Sequence, residues 1–232
     1  MKKKVLITGA TSGIGYATLK YLVEKYEVIF TFCHNETKAL EITNKYHIKG
    51  YHLDLASKKS IEELVNNIDN LDILINNAAI ALDNSFDDKT YEEFSKTLQT
   101  NLTGTYYLTK LLSKKINPNG NILFTSSTNG IDTPYIESID YDASKAGVIS
   151  LMHNFAKQLA PIRVNAIAPG WVDTEMNASL GEKFKKAEEE KILLKRFASP
   201  KEISKVIAFV ISDDASYINN TVIRVDGGVD NG

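Results

Sequence analysis

The most informative segment of the chain reads Thr8-Gly9-Ala10-Thr11-Ser12-Gly13-Ile14-Gly15. It follows a short apolar run and precedes a stretch with helical periodicity. Glycines at such a turn let the backbone bend sharply, pass close to a pyrophosphate and pack the helix against the strand. The helix N-terminus offers unpaired N–H groups and the positive end of its dipole. The segment therefore predicts a dinucleotide-binding turn, although a glycine cluster alone would indicate only a tight turn.

Apolar or β-branched runs alternate with helical patterns along almost the whole chain. Several runs are apolar without alternation, as in parallel strands that are covered on both faces. This order predicts right-handed crossovers and an α/β fold with a doubly wound parallel sheet of the Rossmann type, about seven strands with helices on both faces. The predicted strands are Val5–Thr8, Val28–Phe32, Gly50–Leu53, Ile73–Asn76, Asn121–Thr125, Arg163–Ile167 and Thr221–Val225. The predicted helices are Ile14–Lys25, Glu36–Tyr46, Lys58–Ile68, Tyr91–Lys115, Tyr141–Leu159 and Pro200–Ser212.

The 232 residues contain no low-complexity linker, internal repeat or break in composition. We therefore expect a single dinucleotide-binding and catalytic domain over residues 1–232. Residues 173–196, here called the lid segment, fit the alternating pattern least well because they are polar and rich in lysine and glutamate. A solvated helical insertion would explain this composition. We predict instead a mobile substrate lid, since long loops of α/β domains often cover a cleft.

Composition narrows the classes of partner. The formal net charge of −2 gives no general attraction to nucleic acid or to membranes, and we expect neither as a partner. No run reaches the length of a transmembrane helix. The apolar run after Lys2, Lys3 and Lys4 is too short for a signal peptide, so we expect a cytoplasmic protein. The single cysteine, Cys33, excludes an internal disulfide, and we assign no metal ligands.

The spacing Gly-x-x-x-Gly-x-Gly after Thr8 resembles the single-domain branch of the short-chain dehydrogenase/reductase family. Six motifs in the same order, from about residue 4 to residue 228, carry this resemblance. It implies an oxidoreductase that moves a hydride between a nicotinamide cofactor and a carbonyl or alcohol carbon. It also implies that the glycine-rich turn binds this cofactor through Gly9, Thr11, Ser12, Gly13, Ile14 and Gly15.

Two further motifs lie at the ends of predicted strands. Asp54, followed by Leu55, matches the family's aspartate that meets the adenine amino group, although a simple cap on the following helix is an alternative interpretation. Asn76-Asn77-Ala78-Ala79 resembles the family's Asn-Asn-Ala-Gly and implies cofactor contacts for Asn77 and Ala78. Ala79 departs from that pattern, which narrows the space beside the cofactor ribose.

The segment Tyr141-Asp142-Ala143-Ser144-Lys145 places a tyrosine and a lysine at i and i+4, on one face of a helix. Hydride reduction of a carbonyl needs a proton donor at the developing alkoxide. A tyrosine of ordinary pKa, about 10, is poorly suited to this near neutral pH. A neighbouring ammonium and the positive nicotinamide ring favour the phenolate, so we expect a lowered pKa for Tyr141. Tyr141 would then act as acid in reduction and as base in oxidation. A chance pair is the alternative.

The resemblance implies three further roles in catalysis. Lys145 matches the lysine that also hydrogen-bonds the nicotinamide ribose. Ser127 matches the serine that polarises the substrate carbonyl, with one extra residue in the Ile131–Asp140 loop; Ser126 and Thr128 are the alternatives. Asn101 matches an asparagine that distorts the long helix and holds a water in the proton path.

The strand over Arg163–Ile167 is followed by a turn, Pro169-Gly170, that resembles the family's nicotinamide motif. The resemblance implies that Pro169, Gly170, Val172 and Thr174 contact this end of the cofactor, with Val172 and Thr174 meeting the carboxamide. Such contacts would determine which face of the nicotinamide ring transfers the hydride to the substrate.

The end of the second predicted strand indicates which nicotinamide is bound. NAD-preferring members usually place a carboxylate there, which binds the ribose 2′-hydroxyl and repels a 2′-phosphate. Residues 31–35 contain no acid. We therefore predict NADP(H), with NAD(H) as the alternative. The side chains able to hydrogen-bond a phosphate are Thr11, Ser12, His34 and Asn35, with Lys38 nearby.

Among family members the chain most resembles the bacterial 3-oxoacyl-[acyl-carrier-protein] reductases. This implies a 3-oxoacyl thioester as substrate, small or carrier-bound, and a homotetramer in which the Tyr91–Lys115 and Tyr141–Leu159 helices pair between subunits. A sugar, polyol or other alcohol is the alternative substrate, and a non-catalytic nucleotide sensor is an alternative function. Basic residues of the lid segment could contact an acidic carrier, or they could form a solvated face with the interleaved glutamates. They are Lys183, Lys185, Lys186, Lys191, Lys195 and Arg196.

Overall fold

The computed structural model describes residues 2–178 and 180–229, and its strands form one parallel sheet. The strands are β1 (Lys4–Ile7), β2 (Glu27–Phe32), β3 (Lys49–His52), β4 (Leu71–Asn76), β5 (Ile116–Thr125), β6 (Arg163–Pro169) and β7 (Val222–Val225). Their order across the sheet is β3-β2-β1-β4-β5-β6-β7, and every neighbouring pair is parallel. All the predicted strands are present, with ends that shift by a few residues.

Helices cover both faces of this sheet. They are α1 (Gly13–Leu22), α2 (Glu36–Tyr46), α3 (Lys58–Asn66), α4 (Tyr91–Leu98), α5 (Thr105–Leu112), α6 (Ile139–Gln158), α7 (Glu182–Lys191) and α8 (Pro200–Ile211). Buried side chains of α1, α2 and α8 belong to one apolar core, and those of α3, α5 and α6 belong to the other. The predicted doubly wound α/β fold is therefore confirmed.

The strands read as apolar runs because both of their faces are buried. In β1, Leu6 belongs to one core, whereas Val5 and Ile7 belong to the other. Successive side chains of a strand point to opposite faces of the sheet. An apolar residue is therefore needed at every position of a central strand that is covered on both sides.

The strand order changes direction at β1, which has β2 on one side and β4 on the other. The loops that follow β1 and β4 therefore leave the sheet in opposite directions, and the crevice between them is where doubly wound folds bind ligands. Thr8 joins the two loops, because its hydroxyl oxygen accepts hydrogen bonds from the N–H groups of Asn77 (2.9 Å) and Ala78 (3.0 Å).

The predicted helix Tyr91–Lys115 is distorted around Asn101, as the family resemblance implied, and it is not continuous. A π-helical turn, Gln99–Gly104, separates α4 from α5, and a 3₁₀ turn, Ser113–Lys115, ends the segment. Asn101 lies in the π turn with its side chain buried, and that side chain binds backbone groups of another loop. Such turns often lie at functional sites.

The ends of other helices also differ from prediction. The helix expected over Ile14–Lys25 ends at Leu22, because the N–H groups of Lys25 and Tyr26 both donate to the Leu22 oxygen in a turn that leads into β2. Within the described lid segment, a 3₁₀ turn (Glu175–Asn177) precedes α7. No helix among the described residues is long and apolar enough to span a bilayer.

Candidate active site

The sequence predicts that Ser127 and Tyr141 act on the same substrate carbonyl, and the structure places both residues at one cavity. Ser127 follows the C-terminal end of β5, and Tyr141 lies in the first turn of α6. The Ser127 side chain is near enough to the Tyr141 phenol to lower its pKa, against the larger effect of burial. Both line a cavity of about 740 Å³, whose wall also includes Asn129, Tyr135 and Trp171. The cavity can therefore present a substrate to both hydroxyl groups.

Lys145 lies one helical turn after Tyr141, as the i, i+4 spacing predicted. Its Nζ is 5.3 Å from the centroid of the Tyr141 ring, over the ring face. The same ammonium donates a hydrogen bond of 2.8 Å to the backbone oxygen of Thr125. Only 3% of Lys145 is exposed, so this cation is held inside the protein beside the site.

The expectation of a lowered pKa for Tyr141 is wrong for the protein alone. Burial raises the pKa of Tyr141 above its usual range and outweighs the opposing effect of the nearby Ser127 side chain, while the charges of Asp142 and Asp83 raise it further. Burial also lowers the pKa of Lys145 to about 8, which weakens the cation that was expected to favour the phenolate. Desolvation disfavours the charged form of each group. Tyr141 is therefore held as a neutral phenol.

Asn101 connects the π turn to the first turns of α6. Its amide oxygen accepts from Ile80 N (2.9 Å), and its Nδ2 donates to Ile80 O (2.8 Å) and to Ser144 Oγ (3.1 Å). Ser144 Oγ donates in turn to the backbone oxygen of Tyr141 at 2.7 Å. The sequence did not identify Ser144, since nothing in its position on the chain indicates a contact with the π turn.

The glycine-rich turn is shaped for a close backbone approach. Gly9 has φ +66°, and a Cβ added there would lie 2.8 Å from Ala78 Cα. A Cβ at Gly15 would lie 2.2 Å from the Gly9 oxygen. Larger residues at these two positions would fill the turn or push it from the sheet.

The N-terminus of α1 already holds an anionic oxygen. The N–H of Gly13 donates to Oε2 of Glu175, from the lid segment, at 2.9 Å. The preceding N-cap residue, Ser12, makes no side-chain capping bond. These groups are the donors that a phosphate needs, so the turn fits the pyrophosphate of a dinucleotide.

The side chains of Asn77 and Asp54 make local contacts around this turn. Asn77 Nδ2 donates to the backbone oxygens of Thr8 (3.1 Å) and Gly9 (3.2 Å). Asp54 Oδ1 accepts from Ala56 N at 2.8 Å. The N-cap of α3 is Ser57, so the alternative interpretation of Asp54 as that helix cap is wrong. Leu55, which follows Asp54, is buried.

The loop after β6 returns to the glycine-rich turn. Gly170 N donates to Val225 O at 3.1 Å, which fixes the Pro169-Gly170 turn against β7. Val172 is buried, and a Cβ at Gly13 would lie 3.3 Å from Cγ2 of Thr174. The two predicted cofactor motifs, far apart in the sequence, are thus neighbours in the fold.

The end of β2 leaves few groups for a 2′-phosphate. Asn35 caps α2 by accepting from Lys38 N at 3.0 Å. The Lys38 ammonium binds Glu41 at 2.9 Å. His34 is exposed at the same end of the sheet, as is Ser12 in the neighbouring turn. His34 and Ser12 are therefore the better placed of the predicted phosphate contacts.

An aromatic cluster, formed by Tyr135, Trp171, Phe184 and Phe197, joins the lid segment to the cavity. The Trp171 ring stacks on Phe197 (centroids 5.5 Å apart) and meets Tyr135 (5.8 Å) and Phe184 (5.6 Å) edge to face. Trp171 Nε1 also donates to Glu188 of α7 at 3.1 Å. The sequence analysis missed this cluster, although the single tryptophan directly after Pro169-Gly170 was a usable signal.

Several basic residues of the lid segment have carboxylate partners in the same region. The pairs are Lys185–Asp173 (3.7 Å), Lys191–Glu188 (2.6 Å), Lys195–Glu190 (3.6 Å) and Arg196–Glu202 (2.7 Å). These pairs neutralise each other locally, which favours the solvated-face interpretation over a patch for an acidic carrier.

Comparison with known proteins identifies the class. Residues 9–230 match a family model described as Enoyl-(Acyl carrier protein) reductase. A solved structure of a short chain dehydrogenase from Burkholderia cenocepacia J2315 in complex with NADP has a TM-score of 0.91 and 27% identity, over 98% of this chain and 97% of that one. The chain belongs to the short-chain dehydrogenase/reductase family and is an NAD(P)-dependent oxidoreductase.

Two curated relatives are similar along almost their whole length. The 3-oxoacyl-[acyl-carrier-protein] reductase FabG of Aquifex aeolicus (strain VF5) is 41% identical, over 98% of this chain and 97% of the relative. A tropinone reductase homolog of Arabidopsis thaliana is 35% identical, over 98% and 91%. The names of the two relatives thus refer to different carbonyl substrates.

Proposed function

We propose that this protein reduces the 3-oxo group of acyl thioesters with NADPH. The observation that carries the proposal is that Ser127 and Tyr141 line the same cavity, with the buried Lys145 over the face of the Tyr141 ring. The similarity to the Aquifex aeolicus reductase over nearly the full chain supports the substrate class. Tyr135 and Trp171 of the aromatic cluster supply an apolar wall for the acyl part.

The residues that would hold the cofactor follow from the contacts above. Gly9, Gly13 and the α1 N-terminus would receive the pyrophosphate, and the loop from Pro169 to Thr174 would receive the nicotinamide end. The absence of a carboxylate over residues 31–35 supports NADP(H), with His34 and Ser12 as phosphate contacts. Further contacts are proposed for Thr11, Ile14, Gly15, Asp54, Leu55, Asn77, Ala78, Tyr141 and Lys145.

In the proposed mechanism, bound NADPH supplies the hydride that the carbonyl carbon receives. The Tyr141 phenol, kept neutral by burial, donates its proton to the carbonyl oxygen, so the product is a secondary alcohol. The Ser127 hydroxyl donates a hydrogen bond to the same oxygen and stabilises its developing charge. The Tyr141 phenolate then regains a proton from water, with Lys145 and Asn101 along the proposed proton path.

Two broader expectations remain proposals. We propose a cytoplasmic homotetramer in which α4, α5 and α6 pair between subunits; light scattering during size-exclusion chromatography would measure the mass.

Residues 173–196 are proposed to act as a lid. The aromatic contacts of Phe184 with Tyr135 and Trp171 support this, since they let α7 cover the cavity.

A substrate screen tests the function. NADPH and NADH oxidation would be followed with acetoacetyl thioesters of coenzyme A and of acyl carrier protein, and with cyclic ketones and keto sugars. We expect the highest kcat/KM for a thioester with NADPH. A faster ketone would overturn the substrate class, and tight NADPH binding without any turnover would indicate a nucleotide sensor.

A further inference from the structure

A chain of hydrogen bonds leads from Ser127 into the loop before α6. Ser127 Oγ accepts from Asn129 N at 3.2 Å and donates to Asn129 Oδ1 at 3.2 Å. Asn129 Nδ2 donates to Asp142 Oδ1 at 2.7 Å. The second oxygen of Asp142 accepts from Tyr135 N at 2.9 Å. The reacting serine is thus connected to the catalytic helix through a side chain that is not itself a reacting group.

The Asp142 carboxylate fixes the orientation of the Asn129 amide. An ionised carboxylate only accepts hydrogen bonds, so the NH₂ group of Asn129 must face it. The amide oxygen of Asn129 then faces Ser127 and holds the serine proton. A hydrogen bond to a charged acceptor is stronger than one between neutral groups, so the amide resists a flip.

This arrangement holds the Ser127 side chain while leaving its proton free to move. The backbone N–H of Asn129 fixes Oγ, and rotation about Cβ–Oγ carries the proton from the amide oxygen to a substrate oxygen. No heavy atom of Ser127 has to move when the substrate binds. Catalysis gains when a donor is placed in advance of the charge that it stabilises.

We propose that Asn129 and Asp142 are positioning residues, which set the Ser127 hydroxyl for the substrate carbonyl. The inference rests on the proposed carbonyl reduction and extends it to two residues that hold the serine and are not themselves reacting groups. Asp142 also holds the backbone of Tyr135, whose ring contacts Phe184 of α7 at 5.7 Å. The carboxylate therefore joins the serine to the wall of the substrate cavity.

A double-mutant cycle tests whether Asn129 acts through Ser127. Asn129→Leu keeps the number and branching of the side-chain heavy atoms and removes the amide. We expect kcat/KM to fall about tenfold to a hundredfold in the parent protein, because the serine hydroxyl is no longer held. In the Ser127→Ala background the same change should cost less than about twofold, and NADPH affinity should stay the same in both. Equal losses in the two backgrounds would overturn the proposal.

Asp142→Asn provides the second arm, with Glu137→Gln as its matched control. Glu137 accepts from the Tyr135 hydroxyl at 2.9 Å, so this control removes a carboxylate from the same tyrosine without touching Asn129. We expect Asp142→Asn to lower kcat and Glu137→Gln to leave it unchanged. Similar losses of kcat in both variants would show only that the loop before α6 must stay intact, and the proposal would be wrong.

Crystal structures separate this proposal from the proposed function. In the parent protein we expect one rotamer for Ser127, and in Asn129→Leu and Asp142→Asn more than one. A single unchanged rotamer in both variants would overturn the positioning role. If the parent reduces no thioester but reduces another carbonyl, the proposed thioester substrate is wrong. The double-mutant cycle is then measured on that other carbonyl, and it still tests the positioning role.

Discussion

The ammonium of Lys145 lies over the face of the Tyr141 ring, 5.3 Å from its centroid. In this position the cation interacts favourably with the electron-rich ring face. Burial nevertheless raises the pKa of Tyr141 and lowers that of Lys145 to about 8. The pair therefore starts as a neutral phenol beside a cation that is easily discharged. A neutral phenol is the form that a carbonyl reduction requires.

Replacing the proton donor should separate chemistry from cofactor binding. We expect Tyr141→Phe to lower kcat by about 10²- to 10⁴-fold, since only the phenol hydroxyl is removed. NADPH affinity, measured by fluorescence titration, should stay within about twofold of the parent because the ring remains. Activity that survives this change would refute the proposed acid.

The pKa of Lys145 predicts a pH dependence of stability. The folded protein holds this proton only up to about pH 8, whereas the unfolded chain holds it to its ordinary pKa of 10.5. Between these values the unfolded state binds more protons, so stability from this group rises with pH. The raised pKa of Tyr141 has the opposite effect only above pH 10.0, its ordinary value.

Lys145→Met isolates that contribution from the rest of the protein. Urea unfolding of parent and variant would be compared from pH 7 to pH 10. We expect the parent to gain about 2 kcal/mol relative to the variant over this range. A difference that is independent of pH would mean that the lysine is not desolvated in the folded state.

The fold could be predicted from the sequence because its signals are local. Apolar runs such as Val5–Thr8 require a sheet covered on both faces, and the glycine-rich turn fixes where the first helix starts. The break in the helix predicted over Tyr91–Lys115 has no such local signal, and only the family resemblance implied a distortion at Asn101. It depends on hydrogen bonds between Asn101 and Ile80, which belong to different elements.

The sequence predicted which residues lie together at the site, but it did not predict the direction of the Tyr141 pKa shift. Spacing alone placed Tyr141 and Lys145 on one helix face. The family resemblance implied that Ser127 acts beside them. The direction of the Tyr141 pKa shift depends on burial by residues distant in the sequence, which no spacing reveals. The contacts of Asn129 with Asp142 likewise form only when the loop after β5 folds onto α6.

A buried ion pair next to Tyr141, the proposed proton donor, should be important for stability. Lys89 Nζ lies 3.1 Å from Asp140 Oδ1 with both side chains almost fully buried, and Thr97 Oγ1 donates to Asp140 Oδ2 at 2.7 Å. Removing one charge leaves the other buried without compensation. We expect Lys89→Met to lower the free energy of unfolding by about 3–5 kcal/mol, measured by urea denaturation.

Two variants control for this effect. Lys58→Met breaks an exposed pair with Glu62 and should cost less than about 1 kcal/mol. The double variant Lys89→Met/Asp140→Asn removes both buried charges and should recover much of the lost stability. If Lys89→Met costs no more than Lys58→Met, the buried pair is not a structural requirement.

The carboxylate of Glu175 lies where the cofactor phosphates are proposed to bind. It accepts the Gly13 N–H at 2.9 Å, and two anions cannot share that donor without repulsion. We therefore expect Glu175→Gln to tighten NADPH binding by about threefold to tenfold. The glutamine amide carries no charge, so it binds the Gly13 N–H less strongly and does not repel the phosphates. Isothermal titration calorimetry would measure the affinity. Glu182→Gln, an exposed change in the same lid segment, controls for the general loss of one negative charge. An equal gain in both variants would mean that Glu175 acts only through net charge and does not compete for the turn.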